Sequence, residues 1–159
     1  MTALRSMPGT YVLLLELSDS CSFEVGRLGT LQGQPGTYAY VGSAFGPGGV
    51  RARIRRHQRR TKAMHWHVDY LRAVARLQQA WYTYDPIRRE CTWAAVLLAF
   101  PEAEVPLDGF GASDCRCAAH LMHFGAPPGI DAFRARLQRV APDHAPVYGL
   151  DLAEEGESD

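Results

Sequence analysis

Gly9-Thr10-Tyr11-Val12-Leu13-Leu14-Leu15-Glu16-Leu17 carries apolar side chains at almost every position from Tyr11 onward. A strand with one face in water alternates apolar and polar residues; this one does not, so it reads as a central strand covered on both faces. Everything else in the chain has to supply its neighbours and its two covers.

Working outward, a second strand is expected over 22–25. Gly29, Gly33, Pro35 and Gly36 mark turns around another short strand, and Thr37-Tyr38-Ala39-Tyr40-Val41 alternates as a strand that stops at Gly42. These pieces suggest an antiparallel meander. The Gly46-Pro47-Gly48-Gly49 cluster breaks the strand, and 50–60, free of Gly and Pro, predicts a basic helix. A helix over 66–75, with Trp66, Tyr70 and Val74 on one side, and a strand over 77–84 follow. Asp85 as N-cap and Pro86 as first residue predict a helix over 86–100. Residues 101–113 read as loop, 115–124 as a strand, and Ile130, Phe133, Leu137 and Val140 as the apolar stripe of a last helix. The expected class is α/β of the α+β kind, a small antiparallel sheet flanked by helices, with one domain over 1–150.

With 159 residues and 47% apolar content the chain can bury one ordinary core. No 18-residue apolar stretch and no signal-peptide pattern is present, which predicts a cytoplasmic protein with no membrane partner. Cys21, Cys91, Cys115 and Cys117 make no paired C-x-x-C framework, so free thiols are expected. The zero net charge conceals a strong segregation. Between Val25 and Val68 there is no acid, while Arg27, Arg51, Arg53, Arg55, Arg56, Arg59, Arg60 and Lys62 supply eight cations. Such a flank is a phosphate-binding surface in the making, and Arg51, Arg55, Arg56, Arg59, Arg60 and Lys62 are the candidates to bind DNA. Residues 151–159, rich in Asp and Glu, read as a disordered acidic tail.

Arg53 and His57 are four positions apart and share a helix face, so both are expected to reach one phosphate, the guanidinium as a planar fork and the imidazole as donor or proton relay. Glu90 shares an otherwise apolar helical stripe with Ile87, Ala94 and Leu97. A carboxylate there needs a partner: an arginine, the helix N-terminus, or a hard divalent cation held with waters and phosphate. His65 is a candidate second proton-handling group; His67, two residues on, faces another way if the segment is helical. Asp114, Cys115, Cys117, His120 and His123 invite a zinc reading, but the C-x-C-x-x-H spacing is unusual and no second cysteine pair follows, so structural zinc is disfavoured.

Gly9-Thr10-Tyr11 followed by Tyr40-Val41-Gly42, with Arg53 on the next helix and Glu90 beyond it, resembles the GIY-YIG nuclease superfamily. Gly42-Ser43-Ala44, His65-Trp66-His67-Val68-Asp69-Tyr70-Leu71, Glu90-Cys91 and Phe110-Gly111 through His120 are similar to its Uri-like branch, which occurs alone or appended to endonuclease III-type repair proteins. The resemblance implies a DNA endonuclease acting in repair or recombination. Tyr11 and Tyr40 would lie on neighbouring strands, Arg53 with His57 on the helix, and Mg²⁺ or Mn²⁺ on Glu90. It gives Tyr11 the activation of the attacking water, with its proton passing to His57 or its phenolate favoured by Arg53 and the metal. The 28 residues between Tyr11 and Tyr40 are then expected to form an insertion within the sheet. A noncatalytic nucleic-acid-binding module on the same fold is the alternative reading. RNA as substrate and a repair protein as partner stay open.

Overall fold

The computed structural model describes residues 3–59, 63–112 and 117–153. The central strand is β1, Thr10–Leu17, and its neighbours come from distant parts of the chain. It pairs antiparallel with β4 (Gly36–Ser43) on one side and β5 (Arg76–Thr83) on the other. β6 (Leu121–Phe124) extends the sheet beyond β4, and β7 (Tyr148–Asp151) beyond β5. The five-stranded antiparallel order is β6-β4-β1-β5-β7.

The expected meander is replaced by a more economical connection. β2 (Cys21–Val25) and β3 (Gly29–Gly33) pair only with each other, as a separate two-stranded sheet, and the chain returns so that Leu17 faces Gly36. The stretch between Leu17 and Gly36 is therefore an excursion from the sheet rather than an insertion within it. Val25 and Leu31 turn inward and join the core beside β1.

The two faces of β1 bury different neighbours, as its uninterrupted apolar run requires. Tyr11, Leu13 and Leu15 pack with Val50 and Ile54 of α1 (Gly49–Gln58), Val68 and Leu71 of α2 (His67–Arg72), and the β2–β3 hairpin. Val12 and Leu14 face Trp93, Ala94 and Leu97 of α3 (Glu90–Leu98) and Phe133 and Leu137 of α4 (Ile130–Val140). A sheet with two helices on each face is the result.

Four sequence expectations need correction. The third helix starts at Glu90, not Pro86. Asp85 is buried, and one carboxylate oxygen accepts the Ile87 N–H (2.9 Å), while the other takes Arg89 Nε (3.1 Å) and the Ala145 N–H (3.0 Å). These tertiary partners hold 85–89 as a turn. Val74 lies beyond the end of α2 and Val140, at the end of α4, is 63% exposed, so neither completes its predicted apolar stripe. Ordered chain continues through β7, with Asp151 opposite Gln79 and the Leu152 N–H bonded to the Gln78 carbonyl, so the proposed tail does not begin at 151. Of the expected 115–124 strand, among the described residues only Leu121–Phe124 is strand; Cys115 lies outside them.

Ile54 is fully buried and fastens α1 to the sheet. Ile54→Ala is expected to destabilise the fold by about 2–5 kcal/mol, read as a lower urea midpoint at unchanged m-value.

Candidate active site

The register places Tyr11 opposite Gly42 and Leu13 opposite Tyr40, so the two tyrosines lie diagonally on one face of neighbouring strands, with ring centroids 6.5 Å apart. Gly42 has to be glycine because the Tyr11 phenol crosses its α-carbon, and a Cβ there would fall on the ring carbon and hydroxyl of Tyr11. The phenol is thereby directed to α1, where Tyr11 Oη and His57 Nε2 are 2.7 Å apart with both residues fully buried.

α1 is brought into position by its entry. Gly49 has φ +59, and a side chain there would strike the Met7 backbone, so only glycine lets the helix begin this close to the 5–9 segment. The Val50 N–H then bonds the Met7 carbonyl (2.8 Å), and the Ala44 N–H the Gly9 carbonyl (2.8 Å). At the other end, buried Arg72 donates to the carbonyls of His57 (2.9 Å) and Gln58 (3.1 Å), placing a cation on the helix C-terminus.

Val50, Ile54 and His57 form the inward face of α1; Arg53 stands at its margin, and Arg51, Arg55 and Arg59 are exposed. Arg53 and Arg56, one turn apart, both lie over the indole of Trp66, at 4.4 and 4.1 Å from the ring. Arg56 grips Asp69 with both guanidinium nitrogens, 2.9 and 3.0 Å, and the same carboxylate accepts the N–H groups of His65 (2.8 Å) and Trp66 (2.9 Å). Burial by itself would raise the Asp69 carboxyl; the Arg56 bond and the two backbone N–H groups outweigh it and hold it down at about 2, against an ordinary 3.8.

A cavity of about 510 Å³ opens between these elements, walled by Tyr40, Ser43, Arg53, His65, Trp66, His67, Arg88 and Glu90. Burial raises the pKa of both phenols. That of Tyr11 goes well above 10, with Tyr40 and Glu90 adding to burial and Arg53 opposing it; for Tyr40 Arg53 likewise opposes and Glu90 adds. Both are neutral phenols at physiological pH. His67 accepts the Gly111 N–H at Nδ1 (2.8 Å), and burial lowers its basicity.

Tyr40, Arg53, His65 and Glu90, all named from the sequence, line one cavity. His57 does not: it lies behind Tyr11 and is shut off from solvent, so Arg53 and His57 do not share a phosphate. Tyr11 is likewise beneath the cavity wall rather than on it. Glu90 is the first residue of α3, its side chain 31% exposed, and Ile87 precedes the helix and is 51% exposed. The carboxylate therefore faces the cavity from a helix N-terminus instead of an apolar stripe. Arg56, expected from the sequence to bind DNA, is instead committed to Asp69 and Trp66, while Arg60 and Lys62 lie outside the described residues. His123 meets the Pro35 carbonyl (2.9 Å), away from Cys117 and His120, and Asp114 is outside the described residues.

Trp66, Asp69 and Arg88 are site residues that sequence reasoning left without a role. Asp69 had a visible signal, being the first acid after the run of cations that starts at Arg27. A lone acid there implies pairing.

Residues 10–141 match the family described as domain of unknown function DUF123, and the chain belongs to that family. No curated protein and no solved structure matches it. Among the described residues no helix is long and apolar enough to cross a membrane.

Because the folded-state value of Asp69 is depressed, its contribution to stability is present above pH 3.8 and is lost as pH falls towards 2. Asp69→Asn should cost about 2 kcal/mol at neutral pH and remove that acid-limb component, measured as urea midpoints from pH 7 down to 2.

Proposed function

We propose that the protein is a divalent-metal-dependent nuclease that hydrolyses phosphodiester bonds in DNA, working as GIY-YIG enzymes of the Uri-like branch do. The observation that carries this reading is the convergence of Tyr40, Arg53 and Glu90 on one cavity, with the Tyr11–His57 pair directly behind. An arginine fork, a hydroxyl and a lone carboxylate around a polar cavity suit a phosphate ester better than an apolar substrate.

Glu90 fits a hard divalent cation such as Mg²⁺ or Mn²⁺: it is a partly exposed carboxylate on a cavity with room for the waters that such ions retain. When bound, the ion supplies Lewis-acid stabilisation of charge on the phosphate and the departing oxygen. Arg53, held against the Trp66 indole, neutralises a non-bridging oxygen without having to be ordered during the reaction. Tyr40 orients the attacking water from the cavity wall. Tyr11 cannot rest as a phenolate in its buried setting, so its part is to relay: its oxygen takes a proton from the cavity side as its own passes to His57 Nε2. Arg88, over the Phe45 ring at 4.5 Å, adds a second cation on the same wall for the DNA strand.

The complete burial of Tyr11 and His57 favours one other reading, in which the pair is only a structural clasp and the protein binds nucleic acid, or recruits a repair partner, without cutting.

Labelled single-stranded, duplex and branched DNAs, with RNA alongside, separate the two. Cleavage should require Mg²⁺ or Mn²⁺, stop with EDTA, and fall at least about 100-fold in Glu90→Ala and in Arg53→Ala with folding intact. Equal binding with EDTA or Mg²⁺ and no cutting across the panel would establish the binding module. Arg88→Ala should weaken DNA binding on all sequences and reduce the salt slope by about 1.

A further inference from the structure

A second cluster of ligating side chains lies outside the chemistry proposed above. Cys91 is in the first turn of α3, next to Glu90; Cys117 and His120 lie on the segment that leads into β6. One potential ligand atom from each comes within 4.8 Å of the others. For a tetrahedral zinc ion with ordinary Zn–S and Zn–N bonds, the ligand atoms stand about 3.5–3.8 Å apart. The cluster is thus within about 1 Å of closing on an ion, a distance that small side-chain rotations cover.

We propose that Cys91, Cys117 and His120 form a Cys₂His site for a borderline-soft divalent transition metal, zinc foremost, with the fourth position left to water or another small ligand. Two thiolates and an imidazole select such an ion over Mg²⁺, which takes oxygen ligands, so this site and the Glu90 carboxylate sort different metals although they are neighbours.

Three further observations support it. The backbone bearing the ligands is already set: the Gly109 N–H bonds the Ala118 carbonyl and the His120 N–H the Phe110 carbonyl, each at 2.7 Å, so little ordering remains for the ion to impose. His120 Nδ1 lies 3.8 Å from Glu90 Oε2, the carboxylate–histidine association that commonly supports a metal-bound imidazole. Burial grades from exposed Cys91 through Cys117 to buried His120, which gives an ion an entry path and an inner anchor. A bound ion would fasten the approach to β6 onto the first turn of α3 and, through His120, steady Glu90. The C-x-C-x-x-H sequence alone concealed this, because the second thiol comes from Cys91, far from it in the chain.

The site is tested without nucleic acid, so its failure would leave the nuclease reading untouched. Full-length protein, stripped of metal and kept reduced, is titrated with Co²⁺. The expected result is about one equivalent bound, with thiolate-to-cobalt charge-transfer absorption, displaced by Zn²⁺ but not by a large excess of Mg²⁺. Cys91→Ser and Cys117→Ser should each weaken Co²⁺ binding by more than about 100-fold, exceeding the loss typical of an outer-shell change. Circular dichroism checks their folding, and exposed Cys91 is the safer of the two. Absence of the charge-transfer band in wild type, or wild-type affinity in folded Cys91→Ser, would overturn the proposal.

Discussion

The 2.7 Å bond between Tyr11 and His57 joins the central strand to the first helix at a point no water reaches, and it does so across the bare α-carbon of Gly42. Three elements, β1, β4 and α1, meet in that one contact. A phenol and an imidazole buried together tolerate little displacement, because a hydrogen bond lost between buried polar groups costs about 1–3 kcal/mol. With α1 held in this way, Arg53 has no choice but to stand at the cavity margin and Trp66 to lie against it. The wall of the cavity follows from a contact beneath it.

The cations of α1 show how one basic helix divides its work by direction. Arg56 turns towards Asp69 and becomes part of the frame; Arg53 shares the same indole and faces the cavity; Arg51, Arg55 and Arg59 point to solvent. Asp69 does two jobs at once, neutralising a guanidinium and gathering the His65 and Trp66 N–H groups, and so fixes the segment that supplies one side of the cavity. Nearby charges adjust what burial does to the phenols. Arg53 draws the pKa of Tyr11 and Tyr40 down and Glu90 pushes it up, so any cation that neutralised Glu90 would act in concert with Arg53.

What could be read from the residues was whatever rests on local pattern. The all-apolar run of β1, the alternation of β4, the Gly-Pro break before α1 and the spacing of Phe133 and Leu137 each report an environment that the structure supplies. What escaped rests on partners distant in sequence. Asp85 and Pro86 look like a helix start, yet Arg89 and the Ala145 N–H take up the carboxylate and delay the helix to Glu90. β7 is four residues long, follows a proline-containing loop and is paired only because β5 offers an edge. In the site, Arg53 and Glu90 were legible from motif position. The seclusion of His57 was not, since helical periodicity tells which residues share a face but not how deep that face is buried.

The detached β2–β3 hairpin shows what this architecture keeps constant. Because Leu17 and Gly36 are paired, the ladder of β1 and β4 runs on unbroken to Tyr11 and Gly42 whatever the chain does between them. Lengthening such an excursion is thermodynamically cheap, each doubling adding only about 0.6 kcal/mol of closure entropy. The distance between the two tyrosines counted along the chain is therefore a free variable, and the ruler that matters is the rungs between strands. Sequences that carry the same pair at quite different separations can present the same surface, and a search keyed to a fixed gap would pass over them.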